Sequence, residues 1–523
     1  MADTPVPVAD LTEKPPSFLR NVLWTWLGVI VTLVSGIFLS PYMIRKLGHE
    51  GYGIWALVFS IVDYYVVLDF GFKSATVKYV AHHRAKAEAE QVNETLNSSL
   101  AYFAVAASIL MLLTVVVSVQ ANRFFQVSPQ YHLVFSFMIL VVGFTFSAGL
   151  VFNLFHACLE AFQRFDISNR NWISSTALRV TSVAVLLAAG YGLREIAIAT
   201  AASQLFLYAL GFVAFSRVFP ALRFSVSLVR RSVLRKLLGF GMDTVPSNVA
   251  WVLLLQGPSL LIGHFRPAAF VGYYTLPWRL IQIALDLVYR VGTVTTSKTA
   301  ELCARMDFDG IARLGILTNR YSATLFLPAC IFLWSYGREL LTIWVGAAFA
   351  AQSAPILPIL LTGVLLGDAG QFNSSAILFG LARQRLYSYS LVAEAAFALL
   401  IMSYTVPRYG LVGAAATSAV MMALNRGLVT PWLICRVLRF PLGAYLASIY
   451  VRPALAALPS AVLAYWMKSM WLPGRTLVQL MAAAAIIATV YGISAFFICL
   501  SEEHQHALLA RVRLRWTKPA IRF

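Results

Sequence analysis

The sequence predicts an all-α membrane protein of about 14 transmembrane helices, arranged as two six-helix lobes related by a repeat plus two C-terminal helices. Three observations predict it. Of the 523 residues, 59% are apolar and 12% are charged, with a mean hydropathy of +0.75; soluble domains carry about 25% charged residues. Apolar runs of about 20 residues, each long enough to span a bilayer, recur from Phe18 almost to Leu500. The two halves of the chain also match at nearly one offset. A soluble chain of this length would split into domains with polar surfaces, and the sequence shows none.

The apolar runs fall at about 18–44, 51–80, 95–119, 131–160, 168–190, 195–217, 233–264, 270–299, 312–335, 353–380, 386–406, 411–437, 448–467 and 476–500. Backbone polar groups in lipid must be paired within their own segment, so each run is read as a helix. Residues 1–17 form a polar, proline-rich tail without the n-region and cleavage site of a signal peptide. The N-lobe is then 18–218, the linker 219–232, the C-lobe 233–437, the two extra spans 438–500 and a basic tail 501–523.

Lysine and arginine orient the spans. With the N-terminus in the cytoplasm, about 26 basic residues fall inside and about 9 outside. The inner set includes Lys78, Arg84, Arg164, Arg230, Arg235, Arg305, Arg385 and Arg436; the outer set includes Arg45, Lys46, Arg194 and Arg266. Both termini are therefore placed in the cytoplasm. The net charge of +19 is this positive-inside bias, not a nucleic-acid surface. The sequon-like Asn93-Glu94-Thr95 lies on the cytoplasmic side, where it carries no glycan.

At an offset of 221, Gly51-Tyr52 falls on Gly272-Tyr273, Gly71 on Gly292, and Gln163-Arg164 on Gln384-Arg385; near 218, Tyr191-Gly192-Leu193 falls on Tyr409-Gly410-Leu411. Spans 1–6 thus repeat as spans 7–12. Six is even, so the halves share one orientation, and transporters of that kind place substrate at the interface between their repeats.

Ionisable side chains at mid-bilayer cost at least about 2.5–3.5 kcal/mol each, so they mark aqueous or functional surfaces. In span 8, Arg279, Asp286 and Arg290 are spaced to lie on one helix stripe. Asp286 and Arg290 form an i,i+4 pair with the acid first. Arg279 has no acid at helical neighbour positions and is left to hold an anion. In span 2, Tyr65, Asp69, Lys73 and Thr76 make a similar stripe, with Asp69–Lys73 at i,i+4 and Gly71 able to loosen the helix. The anion-binding candidates are Arg279, Arg290 and Lys73. The cavity or coupling candidates are Asp69, Asp286, Asp63, Asp243, Glu394, Arg320 and Arg179. Asp368 and Arg426 are further intramembrane charges.

No phosphate-binding loop, HExxH or GxSxG motif stands out, and no inter-span loop could hold a soluble catalytic domain. The five cysteines are scattered without CxxC, which points to neither a disulfide framework nor a metal site. No catalytic residue, metal or cofactor is expected. Trp24, Trp172, Trp334, Trp466 and Trp471 fit interfacial belts.

Leu47-Gly48-His49-Glu50-Gly51-Tyr52-Gly53-Ile54-Trp55, followed by Leu68-Asp69-Phe70-Gly71, resembles the start of bacterial polysaccharide-biosynthesis flippases. Gly337-Arg338-Glu339-Leu340 through Trp344-Val345-Gly346 resembles their second half. Val271-Gly272-Tyr273-Tyr274 leading to Arg279-Leu280 looks like the eighth helix of this group and of the lipid II flippases. The resemblance runs from about 18 to 437, within the superfamily that includes the multidrug and toxin extrusion exporters. It implies a multi-pass protein of the bacterial inner membrane. That protein would flip an undecaprenyl-diphosphate-linked oligosaccharide to the outer leaflet by alternating access. Membrane lipids, a polysaccharide polymerase and assembly proteins would be its partners. The resemblance places Arg279 at the position of an arginine in the lipid II branch's cationic cavity. The rivals are a cation-coupled multidrug exporter, which would favour an acidic or apolar cavity, and a membrane-embedded sugar polymerase or glycosyltransferase, which would need a long extramembrane loop.

Overall fold

The structure is a computed structural model that describes residues 18–242, 245–289, 292–500 and 505. The described chain is helical apart from short turns, because an apolar segment of this length can pair its backbone in lipid only as a helix. The helices are α1 (Phe18–Val62), α2 (Phe72–Ala85), α3 (Ala89–Phe124), α4 (His132–Ala161), α5 (Phe165–Ala188), α6 (Leu193–Val218), α7 (Arg231–Met242), α8 (Val245–Phe265), α9 (Ala269–Tyr289), α10 (Gly292–Ala304), α11 (Phe308–Val345), α12 (Ala347–Ser353), α13 (Leu357–Val364), α14 (Phe372–Gly380), α15 (Gln384–Leu424), α16 (Thr430–Leu438), α17 (Leu442–Met470) and α18 (Leu477–Ile498).

Ten of the described helical stretches are long and apolar enough to cross a membrane. Two of these, Leu23–Asp69 and Gln384–Leu438, run to 47 and 55 residues, more than twice the ~20 that one crossing needs. Each is broken by a glycine in the left-handed region, Gly48 at φ 75° and Gly410 at φ 57°, a conformation open to glycine for want of a Cβ. Large apolar side chains cover the surface: Leu112 and Val119 are 70% exposed, Val462 68% and Phe497 69%. On a chain with these spans, that surface faces acyl chains.

The backbone repeats as well as the sequence. Residues other than glycine take left-handed turns at Ala87 and Gln163 and again at Met306 and Ala382, 219 positions later in each case. Helices α3 and α5 begin at Ala89 and Phe165; α11 and α15 begin at Phe308 and Gln384, again 219 later. Identical turns at one offset locate the repeat between the 218 and 221 read from residue matches.

The chain forms two compact units, Met1–Thr275 with Met402–Gly410, and Leu276–Ile401 with Leu411–Phe523. The 219–232 segment lies inside the first. That unit is built on α3, α4 and α6 around an aromatic core of Phe72, Phe103, Phe155, Phe162, Phe215 and Phe219, all at most 3% exposed, with Phe72 stacked on Tyr102 at 3.7 Å between ring centroids. In the second unit, α17 and α18 pack on α11 through Tyr336, Ala456, Ala464, Ala483 and Ile487. The alanines let backbones approach where packing, not water, drives association.

Residues 221–225 run extended along α3, and a 3-10 turn, Val226–Leu228, follows before α7. Asn93 donates to Ala221 O at 2.9 Å and accepts from Arg223 N at 2.9 Å. One turn on, Asn97 donates to Arg223 O at 2.7 Å and accepts from Ser225 N at 3.0 Å. Ser98 accepts from Arg230 N, and Glu94 pairs with Arg230 at 2.8 Å. Two amides at i,i+4 thus give an extended segment the ladder a neighbouring strand would supply, and Asn93 is committed to backbone. An Asn97→Ala change removes two of these bonds, about 1–3 kcal/mol. Trypsin should then cut after Arg223 or Arg230 in membrane vesicles several-fold faster than in the wild type; unchanged cleavage would show that the segment is held by other contacts.

Candidate functional site

The first polar cluster lies in the first unit, where the second half of α1 gives way to a 3-10 turn, Asp63–Asp69. Phe70 and Gly71 follow in the left-handed region, at φ 44° and 72°, before α2 begins. The stripe expected on one continuous helix over Tyr65–Thr76 is therefore interrupted. Asp69 accepts from the backbone N–H of Lys73 at 2.9 Å and caps α2, instead of pairing with the ammonium as an i,i+4 partner. Broken helices at membrane depth occur where the freed backbone groups are re-satisfied or line a cavity. Here Tyr102 donates to Leu68 O at 2.9 Å, Tyr65 and Thr114 share a hydrogen bond, and Gln256 donates to Asp63 at 2.8 Å.

Among the described residues the Lys73 side chain has no hydrogen bond or ion pair. His156 is 7% exposed, both ring nitrogens lack a partner among the described residues, and the ring lies where a Cβ on Gly211 would stand. Sequence reading passed over His156, since a lone histidine in an apolar run gives no pattern.

The second cluster is on α9. Arg279 and Asp286 are both exposed. Arg279 has no partner among the described residues. Arg290 and Asp243 lie outside the described residues, so the stripe is seen at two of its three positions. The start of α9 is held by the motif around Gly48. His49 Nδ1 meets Tyr273 OH at 2.8 Å, Glu50 accepts from Ser128 N at 2.9 Å, and Gly53 lies against the Ala268 carbonyl with no room for a Cβ. Ala268 N donates to Gln126 O at 3.0 Å, and Gln126 N to Gly263 O at 2.9 Å. These motif residues are seating residues: they fix where the helix bearing Arg279 begins.

The third cluster is in the second unit. Two π-helical segments, Leu365–Ala369 and Asn425–Val429, pack on each other with Gly367 against the Met422 backbone and Gly427 against the Leu366 carbonyl. Single π turns widen a helix and are frequent at functional sites. Arg426, with its side chain 6% exposed, bonds Asp368 at 2.5 Å and Glu394 at 3.1 Å, and Asn425 donates to Glu394 at 2.8 Å. Glu394, a coupling candidate, is thus one of three members of an internal ion cluster. Asp368 and Arg426 were visible as intramembrane charges, but their partnership spans three separate segments.

A neutral network adjoins this cluster. Asn319 bonds Ser374, Tyr445 and the backbone of Asn373; Asn373 bonds Ser322 and Thr295. Ser374 donates to Gln371, which reaches Tyr450, whose hydroxyl bonds Leu366 O at 2.6 Å. Its members carry no charge, so an intramembrane-charge pattern does not mark it; its sequence signal is the polar run Gln371, Asn373, Ser374 and Ser375 inside an apolar segment. Of the remaining candidates, Arg320 donates to Ser448 O at 2.9 Å, and Arg179 is half-buried on α5.

The model of the family described as polysaccharide biosynthesis protein matches residues 18–296, more than half of the chain. The chain belongs to the polysaccharide biosynthesis protein family. It is 23% identical over 436 residues, 80% of its own length and 98% of the relative's, to the "Putative O-antigen transporter" of Shigella flexneri. It is also 23% identical over 514 residues, covering 94% and 97%, to the "Uncharacterized membrane protein EpsK" of Bacillus subtilis (strain 168). Its fold is that of the lipid II flippase MurJ in an inward closed conformation, at TM-score 0.70 and 13% identity over 92% of this chain and 98% of that one. An inward-facing multidrug resistance MATE transporter shares it at TM-score 0.67 and 13% identity, over 80% and 98%. The family match begins at the first helix and takes in the broken second span, the seating motif and Arg279. The expected family and all-α transporter fold are thereby established.

Proposed function

We propose that this member of the polysaccharide biosynthesis family is a flippase, not an enzyme. It moves an undecaprenyl-diphosphate-linked oligosaccharide from the cytoplasmic to the outer leaflet of the bacterial inner membrane. One observation carries the reading: a chain of this family keeps an exposed guanidinium, Arg279, without a partner among the described residues, in the middle of an apolar helix. A diphosphate crossing a membrane needs cationic and hydrogen-bonding groups while its sugar passes; the polyprenyl chain can stay in lipid. The names of the Shigella relative and of the MurJ neighbour support the same class of cargo. Fourteen crossings, both termini in the cytoplasm, and lobes at 18–218 and 233–437 complete the proposal. Arg279, Arg290 and Lys73 would meet the diphosphate.

Outward movement of an anion gains about 2.3 kcal/mol per charge per 100 mV of inside-negative potential. If a proton or cation is coupled to it, Asp63 is the better candidate than Glu394: its carboxylate bonds the neutral amide of Gln256, whereas Glu394 is already held by Arg426. Deleting the gene in its host should remove surface polysaccharide and pile up lipid-linked oligosaccharide in the inner leaflet, and the gene in trans should restore export. Intact surface polysaccharide in the deletion strain, or a change in drug resistance alone, would decide for the exporter reading.

A further inference from the structure

The Gly337–Gly346 motif is not used by the flipping reading, yet it builds a cavity. Near the end of α11, about 360 Å3 of open space is lined by Trp334, Ser335, Arg338, Pro355, Pro358 and Lys468, among others, a size at the lower end of small-ligand sites. Gly337 makes it possible: a Cβ there would meet Leu357, so α11 lies close to α13 and turns its next residue, Arg338, into the opening. Arg338 is exposed and its guanidinium has no partner among the described residues. Lys468 of α17 is held in place by Glu339 at 2.8 Å and by Ser335 O at 2.5 Å. Trp334 stands at the rim, 53% exposed, and Trp466 and Trp471, on either side of Lys468 in sequence, meet with tilted rings at 4.7 Å between centroids. Tryptophans of this kind sit at headgroup depth.

We infer that this cavity binds the phosphodiester headgroup of a monoanionic bilayer phospholipid. The charges select it. Arg338 and Lys468 are two cations and Glu339 one anion, so the site carries one uncompensated positive charge, matching a phosphodiester better than a diphosphate. Arginine presents a planar fork that matches phosphate oxygens, and proline walls add no competing donors. Arg279 is not among its described lining residues, and binding here does not require flipping.

Native mass spectrometry of the full chain in detergent tests it, with phosphatidylglycerol, phosphatidylcholine and undecaprenyl diphosphate as probes. The wild type should retain one phosphatidylglycerol that is not retained when phosphatidylcholine replaces it. Arg338→Ala should weaken that adduct about tenfold, and Trp334→Ala should weaken it less. Arg338 contacts no described partner, so its removal should leave a monodisperse protein, and Arg338→Lys should restore part of the affinity. Equal retention by the Arg338→Ala variant, or equal retention of phosphatidylcholine, would overturn the site. Displacement of phosphatidylglycerol by equimolar undecaprenyl diphosphate would overturn the choice of ligand and make the cavity a stop on the cargo's route.

Discussion

Arg279→Ala is expected to reduce export of lipid-linked oligosaccharide by about two orders of magnitude, since two charge-assisted contacts to a diphosphate are worth about 1.5–3 kcal/mol each. Membrane insertion and protein level should stay near normal. The reason is the asymmetry between what the residue costs and what it contacts. A guanidinium in an apolar helix is penalised by about 2.5–3.5 kcal/mol on insertion, and Arg279 regains none of this from a described protein partner. Its removal leaves nothing else unpaired, so a folding defect is not expected to mimic the transport defect. Arg279→Lys should keep part of the activity, because an ammonium supplies charge without the bidentate fork. The measurement is complementation of a deletion strain, scoring surface polysaccharide against immunoblotted protein. Wild-type export by the alanine variant would remove Arg279 from the translocation site.

Arg426→Ala should have the opposite character, a loss of stability first. The guanidinium lies between Asp368 and Glu394, whose side chains are 7% and 1% exposed, and its deletion leaves both buried carboxylates without their counter-charge, Glu394 keeping only the neutral amide of Asn425. Breaking a buried ion cluster from one side costs about 3–5 kcal/mol. The expected result is a markedly lower melting temperature of the purified protein and a smaller monodisperse fraction in detergent. Replacing the whole cluster (Asp368→Leu, Glu394→Leu, Arg426→Met) should recover much of the loss, because apolar replacements of buried ion groups are often neutral or better. A single variant that melts with the wild type would mean that water reaches the site and that the two π segments are held by their glycine seam alone.

These two arginines show how far residue patterns reach. Arg279 was legible because its message is local: a charge in an apolar run, with its neighbours at i±3 and i±4 readable from one helix. Arg426 was legible as a charge but not as a partner, since Asp368 and Glu394 lie 58 and 32 positions away. Asp69–Lys73 failed for a related reason. The spacing presumed a continuous helix, and the left-handed pair Phe70-Gly71 broke it, so the carboxylate capped a helix instead of meeting the ammonium.

The sequence by itself determined that this chain lives in a bilayer, that it is helical, that its halves repeat, and which family it joins. The first two follow from composition and periodicity, because in lipid the backbone has few alternatives to the helix and charge is too costly to scatter; the repeat follows from residue matches between the halves, and the family from the resemblance of its motifs. Only the tertiary structure decided which polar groups are bound and which are free: Glu394 captured by Arg426, Asn93 and Asn97 spent on an extended segment, Arg338 turned into a cavity. Pairing depends on distances between segments far apart in sequence, and the hydrophobic pattern that selects a span does not specify which neighbour its polar face will meet.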